Sequence, residues 1–405
     1  MNPNVIVATC PVCAHGVASP LFSGGAYPLA TLGWPGSADS AREMPRHPHD
    51  FVQCPRCTHV WNRSFSYDAI PYQKNPMRMF NQGGIWKGHM AETRDLMMSK
   101  MPPSPTIIDV GCGDGDFIAK LADSNDRIGR YIGFDVSTSE ESGQGVEFHG
   151  RYFEPLEDVA AFQPDLILMR HVLEHLTDPA SFVDQLAWSA MALQKPLWFF
   201  AELPCIDRAL RHRRLADFFY EHFSHFTTES FRALMARGGT VDTFAHGYDG
   251  EVLYALVRLG VDADRQGKTQ AAAQFHDDAE RAEAAIRGQI MALGAAGQRV
   301  AVWGGTGKAA AFVNRFGLDA ARFPLVVDSD RAKVGAHVPG SGQVIQFRDV
   351  LKGAPVDVVV IPTQWRAKDI LAEMQREGII ARQTLIEHEG RLVDFHTDDH
   401  PYRSG

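Results

Sequence analysis

Four cysteines stand out near the start of the chain: Cys10, Cys13, Cys54 and Cys57, two Cys-x-x-Cys pairs about 40 residues apart. Each such turn aims two thiolates at one point. Two turns together supply a closed tetrahedral set, the usual form of a structural zinc site. A closed set leaves no position for a reactant, so the expected role is folding rather than catalysis. Two disulfides or four unrelated thiols are the alternatives, and His15, His47, His49 or His59 could replace one ligand. The other two cysteines, Cys112 and Cys205, have no motif partner.

A second constellation follows the apolar run Thr106–Val110. Gly111-Cys112-Gly113-Asp114-Gly115 sits between that run and a helical pattern beginning at Phe117, with Asp109 just before it. A glycine turn between a strand and a helix lets the backbone approach a ligand closely. The spacing is Gly-x-Gly-x-Gly, not the dinucleotide Gly-x-Gly-x-x-Gly. The next strand, Arg130–Phe134, ends at Asp135, about 20 residues past the turn, where a carboxylate can accept hydrogen bonds from ribose hydroxyls. A dinucleotide dehydrogenase or a purely structural turn would share part of this pattern. His171, Glu174 and His175 follow a third strand at helical spacing and either line a ligand or simply cap and line a helix.

A third cluster is Phe219-Tyr220-Glu221-His222-Phe223-Ser224-His225. Apolar surroundings shift pKa values and strengthen hydrogen bonds, which suits a general base. A core aromatic cluster with satisfied histidines would read the same way. Further on, Gly304-Gly305-Thr306-Gly307-Lys308 follows the strand Arg299–Trp303 and opens an Ala-rich helix. Glycines and a lysine at a helix N-terminus can hold a phosphate, although this is not an ATP-hydrolysing P-loop. A glycine turn kept for packing is the alternative.

The Asp-Val-Gly-Cys-Gly-Asp-Gly run, Asp135 and His171-Val-Leu-Glu-His-Leu resemble class I S-adenosylmethionine methyltransferases. The resemblance implies that Gly111, Gly113 and Gly115 abut the methionine part of the cofactor and that Asp135 holds its ribose, with Asp109 and His171 on the cofactor side. With the cysteine module in front, the Glu-His-Phe-Ser segment and a second Rossmann-like unit behind, nearly the whole chain resembles the three-domain C-methyltransferases of deoxysugar biosynthesis. That likeness implies His222 as the base, with Glu221 and Tyr220 beside it. Its target is a proton on a carbon next to a ketone in a nucleotide-linked sugar. It also implies substrate-side roles for Tyr72, His225, Gly304, Gly305 and Lys308. This chain reads Phe-Tyr-Glu-His where sugar-methylating members read Tyr-His-Glu-His, and the family's serine pair after the cysteine module is missing. Methylation of oxygen or nitrogen, an inactive binding protein on the same scaffold, and a nicotinamide oxidoreductase are the competing functions.

These residues need a framework to position them. Strands alternate with helices from Thr106 to Ala201 and again from Arg299 to Ile361, predicting an α/β fold: a methyltransferase-type sheet and a second doubly wound sheet. A helix is expected from about Met77 to Met101 and a connecting helix from about Gly267 to Gly297, with Phe275, Ala279, Ala282, Ile286, Ile290 and Leu293 on its apolar face. The glycines and prolines between the cysteine pairs predict loops. The expected division is 1–75 for the zinc module, 76–265 for the cofactor core and 266–405 for a Rossmann-like substrate domain. The 405 residues carry a net charge of −9 and 45% hydrophobic residues. Such a chain is folded and does not advertise nucleic-acid binding. No apolar run is long enough to span a membrane, and no secretory signal is evident. The expectation is a cytoplasmic enzyme of a small molecule, monomeric or homodimeric.

Overall fold

The computed structural model describes residues 4–31, 34–72, 83–126, 128–138 and 145–403. The chain divides into two compact units, Met1–Ala263 and Asp264–Gly405.

The first unit opens with an antiparallel sheet of β1 (Ile6–Val7), β2 (Val17–Tyr27), β3 (His47–Gln53) and β4 (Val60–Asn62). The expected loops between the cysteine pairs are therefore largely a hairpin. Its register shifts fall between Pro20 and Phe22 and between Ser23 and Gly25. Bulges absorb the residues that a regular ladder would reject, which is why the composition suggested loops.

The two cysteine turns are built alike. Ala14 donates to the Cys10 carbonyl at 3.0 Å and Thr58 to the Cys54 carbonyl at 3.0 Å. Ala14 and Thr58 both sit in the left-handed region, with φ of 57° and 60°. Cys10 and Cys57 sulfurs lie 3.6 Å apart, as do those of Cys13 and Cys54. A tetrahedral zinc–thiolate site with bonds of about 2.3 Å sets its sulfurs about 3.8 Å apart, so the four residues fit such an ion.

The second sheet comprises β5 (Thr106–Val110), β6 (Arg130–Phe134), β7 (Val146–His149), β8 (Leu166–Arg170) and β9 (Trp198–Pro204), then β11 (Gly239–Gly247) and β12 (Val252–Leu259). Between these, β10 (Ser224–His225) leaves to join the first sheet beside β4. The strand order is β7-β6-β5-β8-β9-β12-β11. Only β12 runs against its neighbours. That is the class I methyltransferase order, a doubly wound sheet with one reversed strand slipped in near the edge. Its central strands are buried on both faces, which accounts for their unbroken apolar runs.

Helices Asp116–Asp123, Pro155–Phe162 and Pro179–Ala190 connect the strands. The last two start with a proline, and Asp178 caps one by accepting from the Ser181 amide. The helix expected from Met77 is described from Gly84 to Met98, and residues 73–82 lie outside the described residues.

The second unit holds β13 (Val300–Trp303), β14 (Leu325–Asp328), β15 (Ile345–Phe347), β16 (Val356–Val360), β17 (Ala381–His388) and β18 (Arg391–Asp394). Their order is β15-β14-β13-β16-β17-β18, parallel except for β18. The connecting helix spans Ala263–Ala295, and only Ile286 and Ile290 of its expected apolar face are buried. Among the described residues, no helix is long and apolar enough to cross a membrane.

The first sheet depends on Asn62, which is fully buried. Its side-chain oxygen accepts from the amides of Asp50 (3.0 Å) and Ser64 (3.1 Å), and its side-chain nitrogen donates to the Pro48 carbonyl (3.2 Å). Asn62→Ala orphans those groups and is expected to cost roughly 2–4 kcal/mol in a urea denaturation experiment.

Candidate functional site

The glycine turn is pressed between neighbouring segments. Gly111, Gly113 and Gly115 have φ of 75°, 58° and 77°. The Gly111 amide donates to the Phe134 carbonyl at the end of β6 (2.8 Å). A side chain on Gly111 would collide with Val172, and one on Gly115 with Phe148. Asp135 is tied to the same turn. One carboxylate oxygen accepts from the Gly113 amide (3.0 Å), the other from the Ser137 amide (2.8 Å) and hydroxyl (2.6 Å). Thr138 donates to the Gly113 carbonyl (2.7 Å). A carboxylate has about four acceptor positions, so Asp135 retains capacity for a ribose hydroxyl. The residues present thus fit the cofactor that the sequence implies.

Gly111, Gly113 and Asp135 line a cavity of about 1230 Å³. This exceeds the roughly 300–1,000 Å³ of single-ligand pockets, leaving room for a cofactor and an acceptor together. Asp109 and His171 line it too, as do Tyr72, His175 and His222. Burial pushes the Asp109 carboxyl up to about 7, with Arg170 opposing the shift.

His222 packs against Phe219 and His175, ring centres 4.2 and 4.8 Å away. Burial first, then the neighbouring His175, His225 and His171, hold its pKa well below the usual imidazole value. Its ring is therefore neutral and able to take a proton. His175 Nδ1 lies 2.7 Å from the Glu221 carbonyl and 2.9 Å from the Tyr72 hydroxyl. A carbonyl only accepts, so His175 carries a proton on Nδ1.

The other expected residues of this segment turn elsewhere. The Tyr220 hydroxyl accepts from the Ser66 amide (2.8 Å) and donates to the Ser64 carbonyl (3.3 Å). One Glu221 carboxylate oxygen accepts from the Thr31 amide (2.6 Å) and hydroxyl (3.1 Å). His225 is buried and stacks on Phe218. Tyr220, Glu221 and His225 are not part of the cavity lining, and successive residues of this segment face different ways. In the second unit, Gly304 donates to the Val327 carbonyl (2.6 Å) and a side chain on Gly305 would strike Ile345. Lys308 donates to Gln364 (2.5 Å) and lies over the Trp365 ring.

The helix expected at His171–Leu176 is instead a tight turn. His171 has φ of 55°, and only Leu173–His175 form a single 3₁₀ turn. The His171 amide donates to the Glu202 carbonyl on β9, which carries the β8–β9 ladder one bond further before the turn.

Beneath the cavity lies a charge network that motif spacing missed. Glu202, fully buried in β9, accepts from Arg170 (2.8 Å) and meets His89 Nε2 at 2.5 Å, with His171 Nε2 at 3.2 Å. Arg170 lies over Phe117 and Trp86. The one available signal was a glutamate continuing an apolar strand, where an unpaired charge would be costly. Burial opposes charge on His171, but Glu174 and Glu202 outweigh it and raise its pKa to about 9. A raised folded-state value stabilises the fold below the unfolded value of about 6.5 and loses that effect as pH rises through about 9. The stability gap between wild type and His171→Gln should therefore be widest below pH about 6.5 and shrink by pH about 9, as read by denaturant melts across that range.

No curated protein matches the chain in sequence. Similar solved structures include an S-adenosylmethionine-dependent methyltransferase from Mesorhizobium loti (16% identity, 43% of this chain and 100% of that one, TM-score 0.32). Another is a methyltransferase from Aquifex aeolicus (13%, 41% and 89%, TM-score 0.29). A third is the plantazolicin methyltransferase BpumL in complex with a monoazolic analogue and SAH (14%, 44% and 83%, TM-score 0.33). The methyltransferase domain family matches residues 86–241, and the C-methyltransferase C-terminal domain family matches residues 238–387. With two such domains in succession, the protein is an S-adenosylmethionine-dependent methyltransferase.

Proposed function

We propose that the protein methylates a carbon atom next to a ketone in a nucleotide-linked sugar, with His222 as general base. The observation that carries this reading is that the glycine turn, Asp135 and a neutral His222 line one cavity. The C-methyltransferase domain match supports carbon as the accepting atom. Gly111, Gly113 and Asp135 would hold the methionine and ribose parts of S-adenosylmethionine. Bound there, the cofactor supplies a methyl group on a positively charged sulfur.

His222 would take the proton from the acceptor carbon, leaving the C–H electron pair on the acceptor as an enolate. Closeness and orientation do most of the work, because the methyl is already activated. Tyr72 and His175 sit in the same wall and orient the acceptor. Gly304, Gly305 and Lys308 serve the nucleotide phosphates in this reading. The working division is 1–75 for the metal module, 76–265 for the transfer core and 266–405 for substrate binding.

His222→Ala should abolish methyl transfer to a nucleotide-linked keto sugar while S-adenosylmethionine affinity, read by calorimetry, stays within about threefold. Turnover that survives the change would remove His222 from the mechanism.

The four cysteines hold a structural zinc ion, a reading supported by their sulfur spacing. Because β10 belongs to the same sheet as the cysteine turns, metal loss should reach the base. Chelation, or Cys54→Ser, is expected to lower the melting temperature by about 5 °C or more. It should also open the first 60 or so residues to protease and reduce turnover. Unchanged melting and a zinc content near zero by elemental analysis would contradict this.

A further inference from the structure

The proposed base needs a counter-charge that its sequence neighbour does not provide. Proton removal from a carbon acid turns neutral His222 into an imidazolium inside a largely buried pocket, and a buried cation is costly unless paired. Glu221, next in sequence, gives a carboxylate oxygen to Thr31. It acts electrostatically on His49 and on Tyr72.

Another carboxylate does face the base. Glu174 is 1% exposed and lines the cavity. One of its oxygens, one ring nitrogen of His175 and one of His222 all lie within 4.8 Å of one another. Among the described residues, neither Glu174 oxygen has a hydrogen-bond partner. The His171 ring is the charged group beside it, at a long 3.5 Å. A buried carboxylate with unmet acceptor capacity is expensive, and such groups call for an explanation. His175 Nε2 is likewise buried without a hydrogen-bond partner.

We infer that Glu174 is the positioning residue for His222: its carboxylate stabilises the imidazolium formed when the acceptor carbon loses its proton. This rests on the reading of His222 as base. The step balances as follows. The carbon–hydrogen pair stays with the acceptor and becomes the enolate. The proton goes to His222, where the Glu174 carboxylate is the facing counter-charge. His171 Nδ1 lies 3.5 Å from a Glu174 oxygen, so the carboxylate is shared between two imidazoles during the reaction. The groups facing His222 are then Glu174, His175 and His171 from the turn after β8, and His225 and Phe219 from its own segment, while Tyr72 bonds to His175 beside them.

The test compares full-length wild type with Glu174→Gln and Glu174→Asp. The first readout needs no substrate: the titration of His222, assigned by ring-nitrogen NMR with His222→Asn as the control. The His222 midpoint in Glu174→Gln should lie at least one pH unit below that of wild type, with Glu174→Asp between them. Equal midpoints, or no titration of wild-type His222 above the pH of acid unfolding, would overturn the inference. The second readout is turnover of a nucleoside-diphosphate-linked 4-keto sugar. Glu174→Gln should lower kcat roughly 10- to 100-fold with KM within about threefold, and Glu174→Asp should recover part of it. Normal kcat in Glu174→Gln alongside an inactive His222→Ala would overturn the role of Glu174 and leave the base intact. An active His222→Ala would overturn both. A tightly bound divalent metal ion beyond the cysteine set, lost in Glu174→Gln, would also overturn it, because the His222 lone pair would then be a ligand.

Discussion

The short pairing of Ser224–His225 with Val60–Trp61 is the interaction on which the site depends. Two residues of strand are a small amount of sheet, yet they join a segment from the methyltransferase sheet to the cysteine module. Side chains reinforce the join. His59 meets the Ser224 hydroxyl at 3.1 Å, the Thr58 and Thr227 hydroxyls lie 2.6 Å apart, and the Asn62 amide donates to the Phe223 carbonyl at 3.0 Å. Thr58 and His59 directly follow Cys57, so the second cysteine turn fixes the residues that flank His222. The residues after the second cysteine turn and the ladder at β10 thus hold one segment in place. An unrestrained loop of this kind would carry the entropy cost of ordering its residues at every turnover.

The second constraint is electrostatic. Glu202 would be untenable at the centre of an apolar sheet without Arg170, His89 and His171 around it. These partners come from the helix Gly84–Met98, the end of β8 and the turn after it. The network therefore fixes three elements beneath the cavity relative to one another. It also explains the left-handed conformation of His171, a strained backbone held by interactions on both sides of the ring. Next to this charged floor, His222 stays neutral. His171 is cationic because Glu174 and Glu202 outweigh its burial, whereas burial and the neighbouring histidines hold His222 neutral.

Much of the framework was legible in the chain. Val-, Ile- and Leu-rich runs such as Thr106–Val110 and Leu166–Met169 can only be buried strands when glycine turns and helical patterns alternate with them. The turn at Gly111–Gly115 announced itself because three left-handed positions in succession need residues without side chains. The cysteine module was legible in its ligands but not in its backbone, since bulged strands tolerate the proline and glycine that usually signal loops. The helical spacing of His171, Glu174 and His175 misled, because a hydrogen bond to Glu202 from a distant strand holds that segment in a turn.

By itself, then, the sequence determined the two sheets, the glycine turn with its acid, and the four thiols. Each of these rests on local rules: periodicity, backbone freedom and ligand spacing. Only the tertiary structure decided which ionisable groups meet. Glu221 is bonded to His222 through the chain and faces Thr31, whereas Glu174 is 48 positions away in sequence and lies within 4.8 Å of a His222 ring nitrogen. Neighbouring residues of an irregular segment can point in different directions, and a pocket wall is assembled from several elements, so the partner of a catalytic side chain is set by packing and not by adjacency.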